Sequence, residues 1–212
     1  MSEDDRSERL VADELRAALH ESCVGNQIVV VEEARSTNDL AWEAAERGAA
    51  EGFVVFAERQ TAGRGQYGRR WESAPYRGLW FSVLLRPSIT LNESPRLTSL
   101  LAGAAAAAII AEIGCAASIK PPNDIYVAGR KIAGVLVEGR TASDGSYLAV
   151  AGMGVNVNQR LEDFPEELRA TAGSLQLATG REIQRNHLAV ALLRKLEIDY
   201  RAFQTGLVAR NC

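Results

Sequence analysis

Nine residues, Gly63-Arg64-Gly65-Gln66-Tyr67-Gly68-Arg69-Arg70-Trp71, put three glycines and three arginines into one short segment. Glycine lets the backbone turn with positive φ and approach a ligand closely, and successive exposed N–H groups form a concavity suited to anions. Guanidinium groups add planar, permanently charged donors that match carboxylate and phosphate. Such a segment is a loop facing a small anionic ligand. Gly63, Gly65 and Gly68 satisfy G-x-G-x-x-G literally, but the dinucleotide fingerprint needs a strand ending at the first glycine and a helix opening at the last. Here the apolar run 53–57 stops short of the loop, and Arg70-Trp71-Glu72-Ser73-Ala74-Pro75 leads into a second strand-like run, 79–85. The expected arrangement is strand, loop, strand, which excludes a dinucleotide fold.

The remaining elements follow from periodicity and punctuation. Residues 6–20 have helical spacing of Leu10, Val11, Leu15, Ala18 and Leu19, and 27–32 is a β-branched strand. Ser36-Thr37-Asn38-Asp39 is an N-cap signature, with Gly48 closing the helix. Ser94-Pro95 opens a long helix to about 113. Lys120-Pro121-Pro122-Asn123-Asp124 must be irregular, because two prolines remove two donors. Residues 125–127 and 131–138 form a hairpin about 128–130, Asp144-Gly145 turns into a strand at 147–155, and an amphipathic helix covers 186–203. The expected fold is α+β: a mixed, largely antiparallel sheet flanked by helices, with residues 1–26 a helical lead-in and 27–212 one domain.

At 212 residues the chain can bury a real core. A net charge of −3 argues against nucleic acid as the main partner, which would need a broad basic face. Cys23, Cys115 and Cys212, without C-x-x-C spacing, fit a reducing compartment. The acidic N-terminus is unlike a signal peptide, and the alanine-rich run 97–111 is short for a bilayer and reads as a buried helix. A cytoplasmic protein with no membrane and no nucleic-acid partner, a monomer or homodimer, is expected.

Five motifs stand in order: Ser36-Thr37-Asn38, Gln60-Thr61-Ala62 running into the Gly/Arg loop, Lys120–Asp124, Gly129-Arg130-Lys131-Ile132-Ala133-Gly134-Val135-Leu136-Val137-Glu138, and Gly152-Met153-Gly154-Val155-Asn156-Val157. Over about residues 28–205 this series resembles the catalytic domain of biotin–protein ligases (biotin–acetyl-CoA-carboxylase ligases). The resemblance implies the fold shared with biotin/lipoate ligases and class II aminoacyl-tRNA synthetases. It also implies the activity of a biotin–[biotin carboxyl-carrier protein] ligase. Biotin's carboxylate attacks the α-phosphate of ATP, giving biotinyl-5′-adenylate and pyrophosphate, and a lysine of a biotin carboxyl carrier protein domain then attacks the acyl carbon. ATP with Mg2+ and biotin are thus the implied substrates, with the magnesium held mainly by phosphates and water. No protein metal ligand is expected.

By the resemblance, Ser36, Thr37, Asn38 and Gln60 lie at the biotin ureido ring, and Arg64, Gly65 and Gln66 fold over biotin and the adenylate. Arg64 is expected at the anionic bridge. Arg69 and Trp71 serve the nucleotide, near phosphate and adenine, and Asn123 and Asn156 lie around it. Lys131 matches the lysine of the K-x-x-G motif that reaches the carboxylate and α-phosphate, where a compact positive charge neutralises a developing negative centre. Arg64 and Lys131 are therefore the expected catalytic residues. Asp124 is expected to hold its loop by backbone hydrogen bonds.

The sequence departs from the pattern at Pro121, where tryptophan is common, and at Gln66, where arginine is common. Neither a winged-helix segment before Gln27 nor a small β-barrel after Cys212 is expected. A lipoyl or octanoyl ligase or transferase of the same fold is the alternative enzyme, with Cys115 as the only conceivable nucleophile. A non-catalytic biotin-binding module is the alternative outside catalysis.

Overall fold

The computed structural model describes residues 9–20, 22–142 and 145–206. Residues 6–8 of the expected first helix, Asp144 of the expected turn, and Cys212 lie outside the described residues. Seven strands form one sheet: β1 (Gln27–Ala34), β2 (Phe53–Gln60), β3 (Gly78–Leu85), β4 (Ala117–Lys120), β5 (Asp124–Val127), β6 (Arg130–Thr141) and β7 (Tyr147–Asn156), in spatial order β1-β2-β3-β7-β6-β5-β4. Only β1 and β2 pair parallel; the other neighbours are antiparallel. The mixed, largely antiparallel sheet read from the sequence is the observed one.

Among the described residues five α-helices flank it: α1 (Ala12–Ala18), α2 (Thr37–Glu46), α3 (Ser94–Ile113), α4 (Leu175–Thr179) and α5 (Arg185–Gln204). Alternation along the strands divides the two faces. Val54, Phe56, Phe81, Val83 and Leu85 join the main core with α1, α3 and α5, whereas Phe53, Val55, Leu84 and Val150 pack under Ala41 and Trp42 of α2. Leu10, Leu15, Leu19 and Val24 belong to the main core, so these residues of the lead-in share its packing.

The local signals act largely as the sequence reads. Ser36 caps α2 by accepting from the Asn38 N–H at 3.3 Å, an interaction of about 1 kcal/mol. Ala128 and Gly129, with φ of 49° and 75°, make the two-residue turn between β5 and β6 that suits the twist of a hairpin. Two details differ. α3 starts one residue earlier than expected, at Ser94, with Glu93 as N-cap. At 20 residues α3 is also long and apolar enough to cross a bilayer by composition alone. Its place in the core, with Leu97, Leu101, Ala105 and Ile109 buried against the sheet and α5, is what identifies it as an internal helix.

Candidate active site

The expected site residues converge on one cleft of about 520 Å³ on the α2 face of the sheet, within the usual range for a small-molecule site. Ser36, Thr37, Asn38, Gln60, Arg64, Gly65, Gln66, Arg69, Trp71, Asn123, Lys131 and Asn156 all line it. Residues from five separate stretches of the chain meet because the sheet order sets β3, β7 and β6 side by side under the start of α2.

The polar end of the cleft is built on the first turn of α2. Thr37 donates its backbone N–H to Gln60 Oε1 at 2.8 Å. Ser82 Oγ donates to Asn38 Oδ1 at 2.6 Å and lies 2.7 Å from Thr37 Oγ1. Asn38 Nδ2 is buried and has no protein acceptor. Gly152 lies beneath it: a Cβ there would come within 2.2 Å of Asn38 Oδ1. Ser82 was missed in the sequence, although a lone hydroxyl in the apolar strand Leu79–Leu85 is a readable sign of a buried polar task.

Next along the floor sits Trp71. Gly134 and Gly154 are register partners across β6 and β7. A Cβ on Gly154 would come within 2.4 Å of the Trp71 ring, and one on Gly134 within 3.1 Å. The indole rests on this glycine pair, edge-on to Trp80 at a centroid distance of 6.2 Å. Its Nε1 is buried without an acceptor. Above Gly134 the ring meets Lys131, whose Nζ is 5.3 Å from the ring centroid and 2.6 Å from Asp124 Oδ1. The order along the cleft is therefore Asn38, Trp71, then the Lys131–Asp124 pair. Asp124 is thus the counter-ion of Lys131, a role beyond the backbone bonding expected of it. Lys131 is also held through its main chain, donating to Thr171 O at 2.8 Å and accepting from Gly173 N at 3.0 Å.

The Gly/Arg loop closes over this floor as a small hairpin. Arg64 and Arg70 form an isolated antiparallel bridge, Gly65 N donates to Arg69 O at 2.7 Å, and Trp71 N donates to Gly63 O at 2.9 Å. Gln66–Gly68 is a 3₁₀ turn at the tip, with Tyr67 at φ 58° and 91% exposed. The Arg64 side chain is not turned to an anion site. Its Nη2 lies 2.8 Å from Asp39 Oδ1 and 3.2 Å from Glu138 Oε1, and its Nε donates to Glu138 Oε1 at 3.2 Å. The hydrogen bond that Arg64 donates to Asp39 raises the guanidinium above its ordinary value; burial opposes the rise, and the charge of Glu138 adds to it. Glu138 is in turn fixed by Trp42 Nε1–H at 3.1 Å. With two carboxylates on it, Arg64 latches the loop over the cleft that it also lines.

The two asparagines line the cleft with their amides bonded within the chain. Asn123 Nδ2 donates to Val135 O at 2.9 Å, and Val135 N returns a bond to Asn123 O at 3.1 Å. Asn156 Nδ2 donates to Gly173 O at 2.9 Å, and its Oδ1 accepts from Gln159 Nε2 at 3.1 Å. Both amides shape the cleft by tying backbone together. Arg69 is exposed at the rim with no side-chain partner among the described residues. Cys115 packs against the main core on the other face and is absent from the cleft lining. Among the described residues no group of three or more His, Cys, Asp or Glu comes together to hold a metal ion.

The chain is similar to known proteins in both sequence and fold. The chain is 39% identical over 197 residues to the bifunctional ligase/repressor BirA of Bacillus spizizenii, covering 93% of this chain and 61% of that protein. It is 34% identical over 200 residues to the biotin–[acetyl-CoA-carboxylase] ligase of Mycobacterium tuberculosis, covering 87% and 72%. Among solved structures, the biotin protein ligase from Aquifex aeolicus in complex with biotin and ATP superposes with a TM-score of 0.73 at 31% identity, covering 84% of this chain and 72% of that one. The chain thus spans about three fifths of the length of the BirA relative. The sequence model of the Biotin/lipoate A/B protein ligase family matches residues 30–158, and the chain is a member of that family.

Proposed function

We propose that the chain activates biotin with ATP to biotinyl-5′-adenylate and transfers the biotinyl group to a lysine of a biotin carboxyl carrier domain. The observation that carries this reading is the unpaired buried donor Asn38 Nδ2 at the polar end of a cleft that ends at Lys131. An unsatisfied buried donor costs about 1–3 kcal/mol, so a ligand with acceptors fits there better than an apolar one. The ureido head of biotin supplies such an acceptor, whereas the octanoyl chain or dithiolane of the alternative substrates does not. The A. aeolicus relative, solved with biotin and ATP, supports the same substrates.

In this reading the ureido ring lies against Thr37, Asn38 and Gln60. The valeryl chain passes Trp71, which takes that place instead of the adenine contact implied by the resemblance. The carboxylate then reaches Lys131. A carboxylate oxygen attacks the α-phosphorus as the bond to pyrophosphate breaks. Two anions must be brought together, and the Lys131 ammonium, oriented by Asp124, offsets their repulsion and the charge that builds on the phosphoryl oxygens. Arg69 at the rim is free to meet the phosphates, and magnesium enters with the nucleotide. A carrier lysine then attacks the acyl carbon and AMP leaves. No protein nucleophile is used, and the position of the half-buried Cys115 against the core on the far face fits that. This is a cytoplasmic modification reaction. The test is pyrophosphate release with biotin, lipoate and octanoate in parallel: release with biotin alone is expected, and release with lipoate or octanoate but not biotin would overturn the reading.

A further inference from the structure

The sequence holds 21 arginines and only three lysines, Lys120, Lys131 and Lys195. This matters for a chain proposed to generate an amine-reactive mixed anhydride, because guanidinium stays protonated and does not take up the acyl group. The three amines are placed very differently. Lys195 lies on α5, on the face of the sheet opposite the cleft, and is ion-paired with Asp199. Lys131 is in the cleft but bound to Asp124 at 2.6 Å. Lys120 ends the edge strand β4, is exposed, lines the mouth of the cleft, and has no side-chain partner among the described residues. In the β4–β5 register Lys120 stands directly opposite Asp124, and directly opposed side chains share a face with Cβ atoms about 5 Å apart. Lys120 and Lys131 thus flank the same carboxylate, one amine committed to it and one free on a four-carbon stem.

We propose that Lys120 is a self-acylation site, which takes the biotinyl group from the chain's own adenylate when no carrier lysine occupies the mouth. The inference rests on the adenylating activity proposed above. In its uncharged form, Lys120 Nζ attacks the carbonyl carbon of the mixed anhydride. The C–N bond forms as the C–O bond to the α-phosphate breaks, AMP leaves with the bonding pair, and the amine proton passes to water. Holding amine and anhydride at one mouth replaces a bimolecular encounter by an intramolecular one. A carrier lysine competes for the same acyl carbon, so self-acylation falls as carrier rises.

The test uses the full chain, incubated either with biotin and Mg-ATP or with synthetic biotinyl-5′-adenylate, followed by peptide mapping with an arginine-specific protease. Labelling of Lys120 at least about tenfold above Lys195 is expected, at a rate per molecule unchanged by dilution, as an intramolecular step requires. Lys120→Arg should abolish the label while pyrophosphate release continues. Equal labelling of the two lysines, a rate that falls with dilution, or unlabelled Lys120 beside synthetic adenylate would overturn the inference. Labelling from synthetic adenylate without pyrophosphate release from ATP would sink the activation reading and leave this site standing.

Discussion

Arg64 Nη2 lies 2.8 Å from Asp39 Oδ1, so the Gly/Arg hairpin is tied to the same helical turn that forms the polar end of the cleft. Loop position and head recognition are therefore coupled through one residue pair. Both side chains are about two-fifths exposed, and a pair of that kind contributes at most about 1 kcal/mol. Asp39→Asn should weaken biotin binding by no more than about fivefold, on the same scale. Removing the shared cation with Arg64→Ala frees the hairpin from Asp39 and Glu138 together and should cost more. The loop itself reports the change: trypsin nicking between Arg64 and Arg70 should rise in both variants and fall when biotin and ATP are added. Nicking rates that ignore both ligands and variants would show that the hairpin is not a closing element.

The Lys131–Asp124 contact at 2.6 Å separates binding from chemistry. Lys131→Ala should reduce pyrophosphate release by about a hundredfold, the scale of one lost electrostatic donor at a reacting centre, while biotin affinity changes little. Asp124→Asn keeps the lysine but loses its anchor, and a smaller loss in the same step is expected. Titration calorimetry alongside a pyrophosphate assay reads both quantities. Near-normal release by Lys131→Ala would remove this lysine from the reacting centre.

A third expectation concerns stability. Burial, reinforced by a 2.6 Å hydrogen bond to Glu51, pushes the Tyr200 phenol well above its ordinary value of about 10. The raised value means that its contribution is complete below about pH 10 and is lost as pH climbs above that, because the unfolded chain releases the proton first. Melting curves between pH 9 and 11, a range spanning the usual tyrosine value of about 10, should show a steeper fall for the wild type than for Tyr200→Phe. Identical slopes would exclude the buried phenol as the cause.

How far the site could be read beforehand depended on the range of the interactions. Ser36-Thr37-Asn38 was legible because capping is local: a hydroxyl before an apolar-periodic segment fixes a helix start within three residues. The glycines of 134, 152 and 154 were visible as a pattern, but their purpose was not. That Gly134 faces Gly154, and that an indole from residue 71 lies across them, follows only from the β3-β7-β6 strand order. The partners of Arg64 were hidden for the same reason. Its positive charge suggested an anionic ligand, yet Asp39 and Glu138, from a helix and a strand remote in sequence, reach it in the fold. Asn123 and Asn156 have the residue type of ligand contacts, but their amides are bound to backbone groups that no local pattern announces.

The Gly154–Trp71 contact gives the sharpest steric test. A methyl on Gly154 would stand 2.4 Å from Trp71 Cε2 and 2.7 Å from its Nε1, much closer than van der Waals contact. Gly154 carries no positive φ, so alanine there strains nothing in the backbone and acts through the indole alone. The ring must lift off the Gly134–Gly154 pair, into the space assigned to the valeryl chain. Overpacking of this kind costs about 1–3 kcal/mol, and biotin affinity should fall by about tenfold or more. Gly154→Ala combined with Trp71→Ala removes the clash, so its melting temperature should recover relative to Gly154→Ala alone. Biotin affinity should stay low in the double variant, because the wall itself is gone. Recovery of affinity together with stability would show that Trp71 obstructs the cleft instead of forming its side, and would reverse the reading of the indole.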